Sequence, residues 1–241
     1  MLRKKAHEDP WINISDLMSG LMIIFLLISI SYMENVKKSN IYLQKQRDDV
    51  KKIVVTYETT QVDLYNRLME EFKDDLPKWG ATIEKKTLSV TFLEPEILFK
   101  AGEAEISNKF KEILNDFFPR YINILYSKEF YNNIDEIRIE GHTSSEWSQN
   151  LKNQSEAYFL NMELSQRRTL SVLSYCYRLI DDNDKLEFIK KYVTANGLSS
   201  SKLVLDENRY EDKMKSRRVE FRTRTNAEKE ILKILEQLNE F

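Results

Sequence analysis

The sequence predicts an α+β protein: a single N-terminal transmembrane helix, a helical stalk, and a C-terminal two-layer sandwich with elements in the order β-α-β-α-β-β. Three observations predict it. The stretch NISDLMSGLMIIFLLISISYM, residues 13–33, is strongly apolar in a chain that is 32% charged. Residues 34–59 are then rich in Lys, Gln, Asp and Glu. From residue 87 onward, segments with the two-residue period of strands alternate with segments of helical period. The 241 residues suffice for one medium domain with attachments.

The apolar run carries no charge from Leu17 to Met33. A helix from Ile12 to Met33 would be about 33 Å long, which spans the roughly 30 Å hydrocarbon core of a bilayer. Trp11 and Tyr32 stand at its two ends, where amphipathic rings favour the interface, and Ser19 and Gly20 suit close helix packing. Arg3, Lys4 and Lys5 would also suit a signal peptide, but no small-x-small cleavage site follows the run, where SYMENVKK stands. The segment 12–33 therefore reads as a retained single-pass anchor after a tail of residues 1–11. The flanking charges vote only weakly on orientation, because Lys37 and Lys38 follow the helix closely.

Residues 34–79 read as a stalk helix and linker. Leu64, Leu68, Phe72 and Leu76 recur at i, i+4 and give an apolar face, ended by Pro77 and Gly80. The folded domain is expected over 80–225. TLSVTFL (87–93) alternates as a strand, and ILFKAGEAEIS (97–107) reads as a strand end, a glycine turn and a helix start. Phe110, Ile113, Leu114, Phe117 and Phe118 form the apolar face of a helix over 107–126, with Pro119 as a possible kink. IDEIRIEGHT (134–143) is a strand, 156–180 a long helix, 191–200 a short strand with a glycine turn, and 216–225 a final alternating strand. Because β-α-β crossovers favour parallel pairing, the sheet is expected to be mixed, with helices on one face. Residues 226–241 place Ile231, Ile234, Leu235 and Leu238 at helical spacing, for packing on the domain or for a dimer contact.

Composition narrows the function. A net charge of −2 gives no electrostatic case for nucleic acid, and one cysteine, Cys176, excludes an intrachain disulfide. With His7 in the tail and His142 in a turn, no multi-histidine metal site is expected, and His142 reads as a hydrogen-bonded turn residue. Neither a phosphate loop nor a nucleophile-base-acid pattern is present, so no enzymatic active site and no cofactor are expected. Asp16 at the leading edge of the apolar run has two readings. Next to hydrocarbon the neutral acid is favoured over the carboxylate, which suits a proton carrier. As the residue before an apolar helix, Ser15-Asp16 also suits an N-cap.

Four spaced pieces, ILFKAGEAEIS, IRIEGHTSS, NMELSQRRTLSV and SRRVEF, resemble the peptidoglycan-binding domain shared by OmpA, Pal and flagellar MotB. That family shows Phe-x-x-Gly-x-Ala, Gly-His-Thr-Asp, Asn-x-x-Leu-Ser-x-x-Arg and Arg-Arg-Val-Glu in the same order. The resemblance covers about residues 80–225 and makes the predicted sandwich OmpA-like. WINISDLMSGLMIIFLL resembles the membrane segment of MotB-type stator subunits, and its Ser-Asp-Leu-Met-Ser-Gly wording is closer to the ZorB family of Zorya anti-phage systems.

The resemblance implies a bacterial inner-membrane protein with a cytoplasmic N-terminus and a periplasmic, wall-anchored domain. It implies a homodimer whose helices are enclosed by a MotA-like ring of ZorA. Asp16 would carry a transported proton, or sodium, with Ser15 and Ser19 as candidate ion-path ligands. The family's peptidoglycan-binding Asn, packing Leu and carboxylate-holding Arg carry over to Asn161, Leu164 and Arg168, which share one helix face. Arg218 matches the closing strand and is a further candidate for binding. The family Asp that reads an amine does not carry over: Ser144 stands in its place, and Glu146 is the candidate to replace it. A flagellar stator subunit and a passive envelope tether are the competing readings.

Overall fold

The structure, a computed structural model, describes residues 10–93, 95–100, 102–147 and 153–226, and of these not the side chains of 10–13, 53, 54, 56–58, 95 and 96. Most of the N-terminal tail, the ring of Trp11 and the helix expected beyond Asn226 lie outside this set. The chain divides into two compact units, Met1–Lys52 and Ile53–Phe241. Within the first, the described residues form one helix, the start of α1 (Pro10–Phe72), with its apolar side chains exposed.

In the second unit the sequence pattern has a different consequence from the one expected. Leu64, Leu68 and Phe72, the last turns of α1, are fully buried in the core. Leu76 and Trp79 are also buried in the core, on the short α2 (Leu76–Trp79), which Gly80 ends in the left-handed conformation, φ 59°, with its N–H on the Leu76 and Pro77 carbonyls. The i, i+4 face is thus core rather than stalk, and the folded domain begins well before residue 80. Arg120 fastens this corner. Its guanidinium donates to the Glu71 carboxylate (2.8 Å), the Glu71 carbonyl (2.7 Å) and Asp75 (3.1 Å), and lies over the Phe72 ring.

Five strands form one sheet in the order β1-β2-β5-β3-β4: β1 (Ala81–Glu84), β2 (Ser89–Phe92), β3 (Ile134–His142), β4 (Val193–Gly197) and β5 (Arg218–Thr225). The β3–β4 pair is parallel and the others antiparallel, the mixed sheet expected from the crossover. β1 is not legible in the sequence, because ATIE is too short to show alternation. It becomes a strand through its hairpin with β2, where the Gln61 side chain donates to the Lys85 and Lys86 carbonyls of the turn. Helices α4 (Asn108–Leu125), α5 (Gln154–Tyr177) and α6 (Asn183–Tyr192) complete the layer, together with the short α3 (Pro95–Leu98) and α7 (Lys213–Ser216). α4 is capped by Ser107, which accepts from the Phe110 N–H, and it runs on through Pro119. Its Phe117 centres the core, with ring centroids of Phe72, Phe92 and Phe221 at 5.1–5.2 Å.

β5 alternates strictly: Val219, Phe221, Thr223 and Thr225 are buried toward the helices, and Arg218, Glu220, Arg222 and Arg224 face the other way. Helix α5 lies very close to the sheet. A Cβ at Gly197 would stand 2.3 Å from the Gln166 nitrogen, and one at Gly141 would stand 2.7 Å from the Thr169 methyl. Gln166 also reaches the end strand, donating to the Ala195 carbonyl and accepting from the Gly197 N–H.

The placement of Leu64, Leu68, Phe72, Leu76 and Trp79 predicts the outcome of truncation. Each buried side chain contributes about 2 kcal/mol, so removing all five costs about 10 kcal/mol against a net stability of about 5–15 kcal/mol. A fragment starting at residue 80 should lack a cooperative thermal transition by circular dichroism, whereas one starting at residue 59 should retain it.

Candidate functional site

The described part of helix α1 runs from Pro10, so Asp16 lies nearly two turns inside it and is not a helix cap. The capping alternative is therefore lost, because Asp16 has helical residues on both sides. Ser15, Asp16 and Ser19 are exposed, and the Ser19 hydroxyl donates to the Ser15 carbonyl at 2.8 Å. One turn on from Asp16, a Cβ at Gly20 would meet nothing within 4 Å. The helix is long and apolar enough to cross a membrane, with an 18-residue window of mean hydropathy 2.1.

The second unit carries a cleft of about 330 Å³ where the end of β3 meets α5. α5 contributes Asn161, Leu164 and Arg168, brought together as their spacing predicts. The loop after β3 contributes Thr143, Ser144, Glu146 and Trp147, and Phe99 and Gly102 close the other side. Asn161 is buried and donates to the Ser144 and Glu146 carbonyls, so it shapes the loop rather than facing a ligand freely. Arg168 stacks on the Phe99 ring (4.8 Å) and donates to the Glu103 (2.8 Å) and Lys100 (3.1 Å) carbonyls, holding the turn around Gly102. These bonds use two of its five N–H groups. Burial pushes the guanidinium down to about 10, and the charge of Arg217 adds to the effect.

Arg218 does not line the cleft. As the first residue of β5 it follows the strand's alternation onto the open face, where it donates to Glu220 at 2.6 Å. Its neighbour Arg217 lines the cleft instead. Sequence reasoning also missed Trp147, for which the available signal was a large aromatic in a polar loop just past Ser144. Glu146, the candidate to replace the family Asp, lines the cleft with its carboxylate bound by Lys213 at 2.6 Å.

On the open sheet face, Glu140, His142 and Glu220 bring ligand-type atoms within 4.8 Å of one another. His142 is buried at the end of β3, and neither ring nitrogen has a hydrogen-bond partner among the described residues. Its Nε2 lies 3.7 Å from Glu140 and 3.6 Å from Glu220, beyond hydrogen-bond reach, so the hydrogen-bonded turn reading gives way to a strand-end residue between two carboxylates. The protein supplies cations of its own there: Arg218 takes Glu220, and Arg138 approaches Glu140 at 4.0 Å. Burial raises the Glu140 carboxyl, but His142, Arg222 and Arg138 outweigh it and hold the group below its ordinary value.

Comparison with known proteins places the whole chain. It is 42% identical to the Zorya protein ZorB of Escherichia coli, over 98% of this chain and 96% of the relative. No family model matches. Among solved structures, a MotB-like protein from Desulfovibrio vulgaris aligns with TM-score 0.48 at 19% identity, over 72% of this chain and 94% of that one. The cell wall anchor of the T6SS from Pseudomonas aeruginosa aligns with TM-score 0.45 at 20% identity, over 67% of this chain and 99% of that one.

The ion-pair ladder on the open face sets an acid limit to stability. Glu140 contributes fully above its ordinary value of 4.5, and the contribution is lost as pH falls through the lower folded value. Glu140→Gln should cost about 1–3 kcal/mol at pH 7 and flatten the decline below pH 4.5 in denaturant titrations.

Proposed function

This chain belongs to the ZorB family of Zorya proteins, and on that premise we propose that it is the wall-anchored stator subunit of an anti-phage membrane complex. The observation that carries the reading is identity along nearly the full chain, spanning both the apolar helix and the folded domain. In this reading α1 crosses the bacterial inner membrane with its N-terminus in the cytoplasm. The domain lies in the periplasm and holds peptidoglycan in the cleft formed by Asn161, Leu164 and Arg168. Two copies pair, and a ring of a MotA-like ZorA partner encloses their helices.

Asp16 is the ion carrier of the proposal. Its position inside the helix, rather than at the end, supports this, because the carboxylate is then presented sideways from an apolar segment. A proton (or sodium ion) arriving from the ring neutralises it and changes which ring subunit the helix prefers. Each elementary charge crossing the membrane contributes about 2.3 kcal/mol per 100 mV. Ser15 and Ser19 flank the path, and the Ser19 oxygen keeps its lone pairs because its proton is given to the Ser15 carbonyl. Paired carboxylates repel when ionised, so alternate loading of the two copies follows from the pairing.

Asp16→Asn keeps size and insertion but cannot cycle an ion. It should reduce phage protection to the level of a strain lacking the gene, in plaque counts with matched membrane levels of protein. Full protection by the variant would leave only a passive tether. The wall contact is tested separately. The full chain in detergent should pellet with isolated peptidoglycan, and Arg168→Ala should weaken this about tenfold or more, the worth of a charge-assisted contact. Equal pelleting by a variant that melts like the wild type would remove Arg168 from the anchor.

A further inference from the structure

The charges in the cleft do not balance. Arg168 and Arg217 both line it, and among the described residues neither is paired with a carboxylate. Arg168 donates to the Glu103 and Lys100 carbonyls, and Arg217 donates to the Lys213 carbonyl and approaches the Met214 sulfur. Glu146, the acidic residue among the described lining, has a side chain 63% exposed and bound to Lys213. Its backbone carbonyl is taken by Asn161. Thr143, also lining the cleft, is 4% exposed, and its buried hydroxyl has no partner among the described residues. Among the described residues, the cleft thus presents two guanidinium groups without a carboxylate partner, while its own carboxylate, Glu146, is already paired with Lys213.

We propose that the cleft reads acidic groups alone: it takes a peptide bearing two free carboxylates, one for Arg168 and one for Arg217, whether the peptide's side-chain amine is free or acylated. The proposal rests on the wall-anchoring reading and names the ligand chemistry within it. Guanidinium groups hold carboxylates through paired N–H donors, and a desolvated cation without a counter-ion gains most from receiving one. An ammonium group placed between two arginines gains nothing and is repelled. Leu164 and the ring of Phe99 supply apolar wall for the methylene chain between the charges. In a cell wall the amine is free in uncross-linked peptides and acylated in cross-linked ones, so such a site grips both.

The test is calorimetric titration of the full chain in detergent with two synthetic probes. Both are the tripeptide L-Ala-γ-D-Glu-meso-diaminopimelate, one with the side-chain amine free and one with it acetylated. The wild type should bind the two with Kd values within about threefold, as expected where no group pairs with the amine. Arg217→Ala should weaken both about tenfold. Arg217→Gln, which keeps a donor for the Lys213 carbonyl, should do the same if the alanine variant melts early. Ser144→Asp should create a preference for the free amine. A wild type that binds the free-amine probe tenfold tighter or more, or folded Arg217 variants with unchanged Kd, would overturn the proposal. If neither probe binds but the chain still pellets with peptidoglycan, the cleft assignment is wrong and the wall contact lies elsewhere. If the chain does not pellet, the anchoring reading itself fails.

Discussion

Helix α5 rests on the sheet at two places where a side chain is missing. At Gly197 on β4 a Cβ would overlap the helix backbone at Gln166, and at Gly141 on β3 it would overlap the Thr169 methyl. Ser165 works at the same seam, its hydroxyl oxygen accepting from the Ser199 N–H. This contact fixes the depth and rotation of α5, and with them the directions of Asn161, Leu164 and Arg168. It also brings the loop that leaves β3 beneath the start of the helix, where the Asn161 amide can hold the Ser144 and Glu146 carbonyls. The cleft exists because a strand end and a helix meet without spacers.

Arg168 shows how little separates structure from recognition here. Its stacking on Phe99 and its bonds to Lys100 and Glu103 build one wall of the cleft. Its remaining N–H groups are what a ligand would meet. A lysine could place a charge there but not hold two carbonyls and stack at once. Asp16 is the opposite case, an exposed carboxyl group at the edge of a long apolar helical segment, with no contact of its own chain among the described residues to hold it.

The sequence made the helical and strand faces legible where the periods were long. The face of α4 through Phe110, Ile113, Leu114, Phe117 and Phe118 is buried as its spacing implied, and β5 alternates as written. The grouping of Asn161, Leu164 and Arg168 followed from three- and four-residue spacing on one helix. Other features were hidden for physical reasons. β1 has four residues and owes its state to its partner, and α6 buries only Phe188 and Ile189. The Leu64–Leu68–Phe72 face shows that a helix packs, but not whether it packs on a second helix or on its own domain. Choosing Arg218 over Arg217 turned on where the strand's alternation begins, which is a matter of a single residue.

Gln166 has a consequence beyond its own helix. β4 is the last strand on its side of the sheet, and such a strand ordinarily presents unused backbone groups to any extended chain that drifts past. The Gln166 amide occupies two of them, the Ala195 carbonyl and the Gly197 N–H. That stretch of the flank is therefore already occupied. Domains crowded side by side at high local density therefore find less free backbone along that stretch with which to zip into ribbons.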